Sequence, residues 1–457
     1  MSLRQAFTAR RCAPILSRGR TPRTPAQAGA SGETESKATH HVSVLPRARA
    51  LGYEPALDGV RGVAVLAVVG YHADYQPRDG PLGVDIFFVL SGFLITTLLL
   101  QEWHANGSIS LRLFFARRAL RLFPALAVML AVFVASSVVL SLSGHLSRGQ
   151  LQQNVKCVAL GAFYVSNIAR AWFSPDPMVT ALGHLWSLAT EEQFYLLWPV
   201  ALAILLRSGA RERTVLKILA LLAALVAVHR LELTLAGASD NRLFYAPDTH
   251  FDPILVGCLA GACYTTGMLP RVLRTDRGAR LARIAATWFV VFVLLLSVPL
   301  RVFFVGGFVL FEIAVAVLLI SILTTPACAL ANVLRRPIIV AIGRMSYALY
   351  LWHLVLLSAF GVRLGLPLSF LAAAGSTRFV ERPFLRRKKR SAARLRQQAD
   401  GVVAVPDTST QADRASLGRA SGIRLATVRS LWRMGEIGRP PELVNPQDSP
   451  EIHQDRD

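Results

Sequence analysis

The stretch GHLWSLATEEQFYLLWPV, Gly183 to Val200, decides how the whole chain is read. It opens with polar residues and two adjacent carboxylates, then runs straight into an apolar segment that continues to Leu206. A segment of that kind is ready to enter a bilayer, yet its first turns carry His184, Ser187, Thr190, Glu191, Glu192 and Gln193. Charged groups at membrane depth are costly and persist mostly where they do chemistry or move ions.

The rest of the chain agrees with a membrane setting. Of its 457 residues, 53% are hydrophobic and only 17% are charged, against about 25% charged in a soluble domain. The apolar residues fall into blocks near 57–73, 84–101, 119–140, 188–206, 215–231, 253–269, 284–300, 305–325, 338–360 and 366–380. Each is close to the roughly 17–25 residues that cross a bilayer as a helix. The expected fold is therefore an all-α polytopic membrane protein with about ten transmembrane helices. The apolar segment at 155–172 carries Lys156, Asn167 and Arg170. It is read as re-entrant or interfacial, since irregular backbone is tolerated at membrane depth where protein buries it.

The formal charge of +22 follows from clustered Lys and Arg in tails and short loops. Arg112, Arg117, Arg118 and Arg121, then Arg207, Arg211 and Arg213, then the arginines of 270–283, then Arg335 and Arg336 all fall on one side if ten spans are counted. By the positive-inside rule that side is the cytosol, with both termini inside and the protein in the cell membrane. No nucleic-acid signature accompanies the basic runs, which point to the lipid surface. Residues 1–53 are expected to form a disordered basic cytosolic tail. Residues 54–385 are expected to form the membrane domain, and 386–457 a second basic, largely disordered tail with an amphipathic helix at 416–436. The five cysteines form no CxxC pair, so neither a disulfide framework nor a metal site is expected.

This topology sorts the polar residues into two levels. His72 lies 14 residues after Asp58 in the first span, about 21 Å along a helix, and so reaches the outer half. His184, Ser187 and Glu191 begin the fourth span at the same level, as do Asp248 and Asp252 in DTHFDP and His353 in LYLWH. The inner face instead gathers Arg61, Arg117, Arg118 and Arg121. Arginine holds phosphate through a bidentate, permanently charged fork, so this cluster suits an anionic ligand arriving from the cytosol.

LDGVRGVAVLAVVGYH, GVDIFFVLSGFLIT, FFARRALRLFP, HLWSLATEEQFYLLWP, SYALYLWH and FVERPF follow one another between residues 57 and 384. In these motifs and their order the chain resembles acyltransferase family 3, membrane-bound O-acyltransferases that modify glycans, glycolipids and macrolides. The resemblance implies that His72 is the essential first-helix histidine, with Arg61 upstream of it. It also implies that Arg118 and Arg121 are the R-x-x-R pair for the donor's phosphates and that Glu191 is the motif glutamate. The implied donor substrate is an acyl-CoA such as acetyl-CoA, with no bound cofactor, and the acceptor is a hydroxyl of a sugar, glycolipid or glycosylated metabolite.

The residues carry that chemistry. An alcohol needs a base as it attacks a thioester, and histidine is the usual one. His72 is assigned that role, with Glu191 or Asp85 to orient its ring. His184, Ser187, Asp248, Asp252 and His353 are assigned to the acceptor pocket. Ser91 and Ser187 are weighed as nucleophiles, but neither has an adjacent base in sequence, so direct transfer is preferred. One departure from the family pattern is His250 in HFDPILVG, near a place where relatives carry arginine. The rival reading is a proton-coupled secondary transporter or flippase, but no inverted repeat supports it.

Overall fold

The computed structural model of the chain describes residues 51–74, 82–173, 176, 178, 181–295 and 298–384. Among these residues the chain is helical throughout. The first half contains α1 (Pro55–His72), α2 (Leu82–Asn106), α3 (Leu111–Leu142), α4 (Arg148–Ala162), α5 (Ser166–Trp172), α6 (Leu185–Arg207) and α7 (Glu212–Leu235). The second half contains α8 (Asp240–Tyr245), α9 (Pro247–His250), α10 (Asp252–Thr266), α11 (Asp276–Leu295), α12 (Leu300–Val302), α13 (Phe308–Thr324), α14 (Ala329–Leu334), α15 (Pro337–Arg344) and α16 (Ser346–Gly375).

Local chemistry sets many of these boundaries. Pro55 sits at the start of α1, where its missing N–H is no loss, and the Glu54 carboxylate accepts from the Ala56 N–H at 3.0 Å. Ser147 and Gln150 form a reciprocal capping box at the start of α4. α10 ends at Gly267, in the left-handed conformation at φ 72°.

The expected count of about ten spans is not confirmed. Among the described residues, six helical segments are long and apolar enough to cross a membrane: Leu82–Asn106, Leu111–Leu142, Glu212–Leu235, Asp276–Leu295, Leu300–Thr324 and Ser346–Phe384. The reasons are physical. α1 and α6 carry their polar residues inside the helix, and α10 has only 15 residues, about 22 Å. The expected span 338–360 is broken at Met345 between α15 and α16. Its expected neighbour at 366–380 continues in α16 beyond a kink at Gly361, where φ is 66° and ψ is 177°. The segment at 155–172 is divided between α4 and α5, with Tyr164 at φ 55° in the break. The two tails, including the amphipathic helix expected at 416–436, lie outside the described residues apart from 51–53.

Burial separates two kinds of helix. In α2, 78% of the apolar window is buried inside the protein, against 17% in α7 and in α11. The chemistry-bearing helices α1, α2, α6 and α10 form the shielded centre, while α7 and α11 present apolar flanks outward. α2 packs directly against α10, and glycine makes this possible. A Cβ on Gly257 would stand 2.1 Å from the Val89 carbonyl oxygen, and one on Gly92 would stand 2.0 Å from that of Ile254. Small residues at such spacing let helix backbones touch in a bilayer, where apolar burial alone gives no drive to associate.

The N-terminus of α1 is tied down by ions. Arg335 donates to both Glu54 carboxylate oxygens, Nε at 2.8 Å and the terminal nitrogen at 2.9 Å. Burial alone would raise the Glu54 carboxyl, but Arg335 and the Ala56 N–H hold it below its ordinary value.

Two outcomes follow from this packing. Gly257→Ala should lower the melting temperature of the detergent-solubilised protein markedly, whereas Gly375→Ala, with open space around it, should leave it unchanged. A folded carboxyl with a lowered pKa stabilises above the unfolded value of 4.5 and loses that contribution as the pH falls through the folded value. Glu54→Gln should therefore melt below the wild type at pH 7, and the gap should close as the pH drops below about 4.

Candidate active site

Two cavities lie toward opposite ends of α1. The first, of about 220 Å³, is lined by Arg61, Arg118, Arg121, Ser91, Glu191 and Tyr195 among others. The second, of about 330 Å³, is lined by His72, Arg170, His184, Trp186, Tyr245 and Leu354 among others. Arg61 and His72 are 11 residues apart on α1, about 16 Å along its axis. Val84 and Tyr350 line both cavities. Among the described residues only that pair of walls is common to the two chambers.

In the first chamber the three arginines differ in what holds them. Arg118 lies against Glu192, with contacts of 2.8 and 2.6 Å, and 3.5 Å from Glu191. Its guanidinium is stacked over the Tyr195 ring at 3.1 Å. Arg61 pairs with Asp58 at 3.1 Å. Among the described residues no ion pair holds Arg121, which is exposed into the chamber with Arg61, Arg118 and Glu381 as its charged neighbours. Arg117, expected with this group, instead turns to Glu102 at 3.8 Å and is not among the lining residues.

The expected partners of His72 are corrected. Glu191 accepts hydrogen bonds from the Ser91 hydroxyl and from Tyr195 at 2.8 Å, in the first chamber. Ser91 thus has a carboxylate beside it that sequence spacing could not show. Asp85 pairs with His250 at 2.9 Å, and both side chains are fully buried. Among the described residues, the His72 Nδ1 lies within hydrogen-bond distance of the Val68 carbonyl and of His353, and the Tyr71 ring packs edge-on against the imidazole at 5.1 Å between centroids.

The residues expected in the acceptor pocket also separate. His184 lines the second chamber, and Ser187 lines the first. They meet at Tyr350, whose hydroxyl donates to the His184 carbonyl at 2.8 Å and accepts from the Ser187 hydroxyl at 2.5 Å. His353 lies buried behind His72, at 5.0 Å between ring centroids. Asp248 is at the surface, paired with Arg242 at 2.5 Å and His229 at 3.2 Å. Asp252 is buried against Arg230 at 2.6 Å and lines neither chamber. Neither carboxylate is among the residues lining the two chambers. The departure at His250 has a counterpart here, since Arg230 of α7 brings a guanidinium to the start of α10, donating also to the Thr249 carbonyl at 2.9 Å.

Sequence reading passed over Arg170 and Tyr350. Arg170 is aimed at the second chamber by Asp176 at 2.8 Å and the Gly183 carbonyl at 2.9 Å, and it lies 4.0 Å from the Tyr245 ring centroid. An arginine inside an apolar segment was the available signal. Tyr350 offered none, because a tyrosine in an apolar helix usually anchors or packs.

The arrangement has recognisable relatives. Residues 54–379 match the family model described as an acyltransferase domain. The peptidoglycan O-acetyltransferase OatA of Listeria monocytogenes is 35% identical over 311 residues, which are 66% of this chain and 49% of the relative. The O-acetyltransferase OatA of Staphylococcus aureus is 30% identical over 361 residues, 74% of this chain and 58% of the relative. The chain thus spans about half the length of these curated relatives. No solved structure matches it. Matching the family model over most of its length, with the family motifs gathered around two adjoining chambers, the chain belongs to acyltransferase family 3.

Proposed function

We propose that the protein is a membrane O-acetyltransferase that moves an acetyl group from acetyl-CoA to a hydroxyl of a cell-wall glycan. The observation that carries this reading is the pair of chambers meeting at Val84 and Tyr350, one rich in arginine and the other holding His72. The glycan acceptor is suggested by the name of the Listeria relative.

In this reading the arginine chamber faces the cytosol and takes the phosphates of acetyl-CoA. Arg121 is in no ion pair among the described residues, with Glu381 only a more distant charged neighbour, so it makes the first contact, with Arg61 beside it. Arg118 serves mainly to compensate Glu191 and Glu192. The pantetheine arm is extended and slender, and carries the thioester past Tyr350 toward His72. The acceptor enters the second chamber, where Trp186 and Tyr245 offer aromatic faces to a sugar ring and Arg170 offers donors.

His72 then removes the proton from the acceptor hydroxyl as its oxygen bonds to the thioester carbonyl carbon. The tetrahedral intermediate collapses, the carbon–sulfur bond breaks, and the sulfur leaves with the proton held by His72. The products are an ester and free CoA thiol. Nothing in this sequence needs a metal or a covalent enzyme intermediate. A second reading, transfer through an acetylated Ser91, is favoured by its hydrogen bond to Glu191. A transporter is the less apt alternative, since an arginine chamber matched to a large anion serves no relay of protons.

His72→Ala should lower acetyl-CoA turnover with a chito-oligosaccharide acceptor by about 10²–10⁴-fold, the usual worth of a general base, while acetyl-CoA still binds. Arg121→Gln should instead weaken acetyl-CoA binding roughly tenfold or more, as expected for one lost charge-assisted hydrogen bond. Equal loss of binding in both variants would contradict the assigned roles. The intact mass after acetyl-CoA alone should stay unmodified; a stable acetyl adduct absent from Ser91→Ala would favour the covalent route.

A further inference from the structure

His72 has neither Glu191 nor Asp85 beside it, which raises the question of what orients its ring. The answer lies in α16, where the tautomers of two histidines can be worked out from backbone carbonyls. His353 Nδ1 is 2.7 Å from the carbonyl oxygen of Tyr350. A carbonyl only accepts, so this nitrogen carries the hydrogen and the neutral ring keeps its lone pair on Nε2. That Nε2 faces His72 Nδ1 at 3.3 Å. His72 Nδ1 also stands 2.9 Å from the Val68 carbonyl oxygen, again an acceptor only. His72 Nδ1 is therefore a hydrogen-bearing nitrogen shared between Val68 and His353, and the basic lone pair of His72 resides on Nε2.

We propose that His353 is the positioning residue for His72, filling with a neutral imidazole the place that a carboxylate takes beside the histidine of a Ser–His–Asp triad. The proposal rests on the reading of His72 as the base. When Nε2 takes the acceptor's proton, the ring becomes an imidazolium and its Nδ1–H becomes a stronger donor to His353 Nε2. The same proton leaves from Nε2 to the departing sulfur, so His353 undergoes no net change. A neutral acceptor has a clear advantage at this depth. His353 is fully buried, and a carboxylate there would carry the desolvation cost of an isolated charge whenever His72 is neutral. Ring packing supports the geometry, with His353 5.0 Å from His72, 5.1 Å from His184 and 5.5 Å from Tyr350 between centroids.

Two substitutions separate orientation from mere packing. His353→Gln can place an amide oxygen near the position of Nε2 and keep an acceptor for His72. His353→Asn is shorter and can keep only the bond to the Tyr350 carbonyl. With acetyl-CoA and chitotetraose in nanodiscs, His353→Asn should lower kcat by about 10²-fold, at the low end of what a general base supplies. The KM for acetyl-CoA should be unchanged, and His353→Gln should recover most of the loss. Because His353 acts through His72, adding His353→Asn to His72→Ala should slow the reaction no further. Equal kcat in the Asn and Gln variants, or further slowing on the His72→Ala background, would overturn the proposal while leaving His72 as the base. Full turnover by His72→Ala would overturn both. Nitrogen NMR of ¹⁵N-histidine-labelled protein gives a readout independent of turnover. The His72 signal, identified by its loss in His72→Ala, should report the Nδ1–H tautomer in the wild type and in His353→Gln, and lose that bias in His353→Asn. An Nε2–H tautomer in the wild type would overturn the proposal.

Discussion

Backbone contact between α2 and α10 is the constraint on which the rest of the molecule depends. Gly92 on one helix and Gly257 on the other leave no room for a Cβ, so the two chains of peptide groups lie against each other. That contact sets the height of α2, which carries Val84, Asp85 and Ser91. Asp85 then meets His250 at the start of α10, Ser91 meets Glu191 on α6, and Val84 forms part of the wall between the chambers. A shift of one helical turn, about 5.4 Å, would break all three relations at once.

A second constraint is that charge inside a helical bundle must be matched. Asp85 with His250, Asp252 with Arg230, and Glu192 with Arg118 are pairs of this kind. They hold helices together. Arg121 and His72 stand outside this scheme. Arg121 has no ion-pair partner among the described residues, and His72 is steadied by a carbonyl and a second imidazole.

Much of this was legible in the sequence. The length and spacing of the apolar blocks gave a helical membrane protein, and the motifs from LDGVRG to FVERPF gave the family that the comparison with known proteins bears out. The gathering of His72, His184 and His353 at one level was also readable, because helical rise converts residue number into depth. What could not be read was which residues pair. Asp85 sits near the level of His72 along the bilayer, yet rotation about the axis of α2 turns it toward His250. Depth follows from counting, but azimuth follows from packing, and packing here is set by glycines whose partners lie on another helix. Six rather than ten helices among the described residues are long and apolar enough to span, since α1 and α6 keep polar residues within the helix and α16 bends at Gly361 without a loop.

In the proposed reaction, donor and acceptor approach the shared wall from opposite sides of the membrane. The most direct measurement uses sealed proteoliposomes with the protein in one known orientation, acetyl-CoA on one side and chitotetraose on the other. Acetylated oligosaccharide is expected only when acetyl-CoA is on the side of Arg121 and the acceptor is on the side of His72. Product formed with both substrates confined to one side, in vesicles shown to be tight, would contradict it.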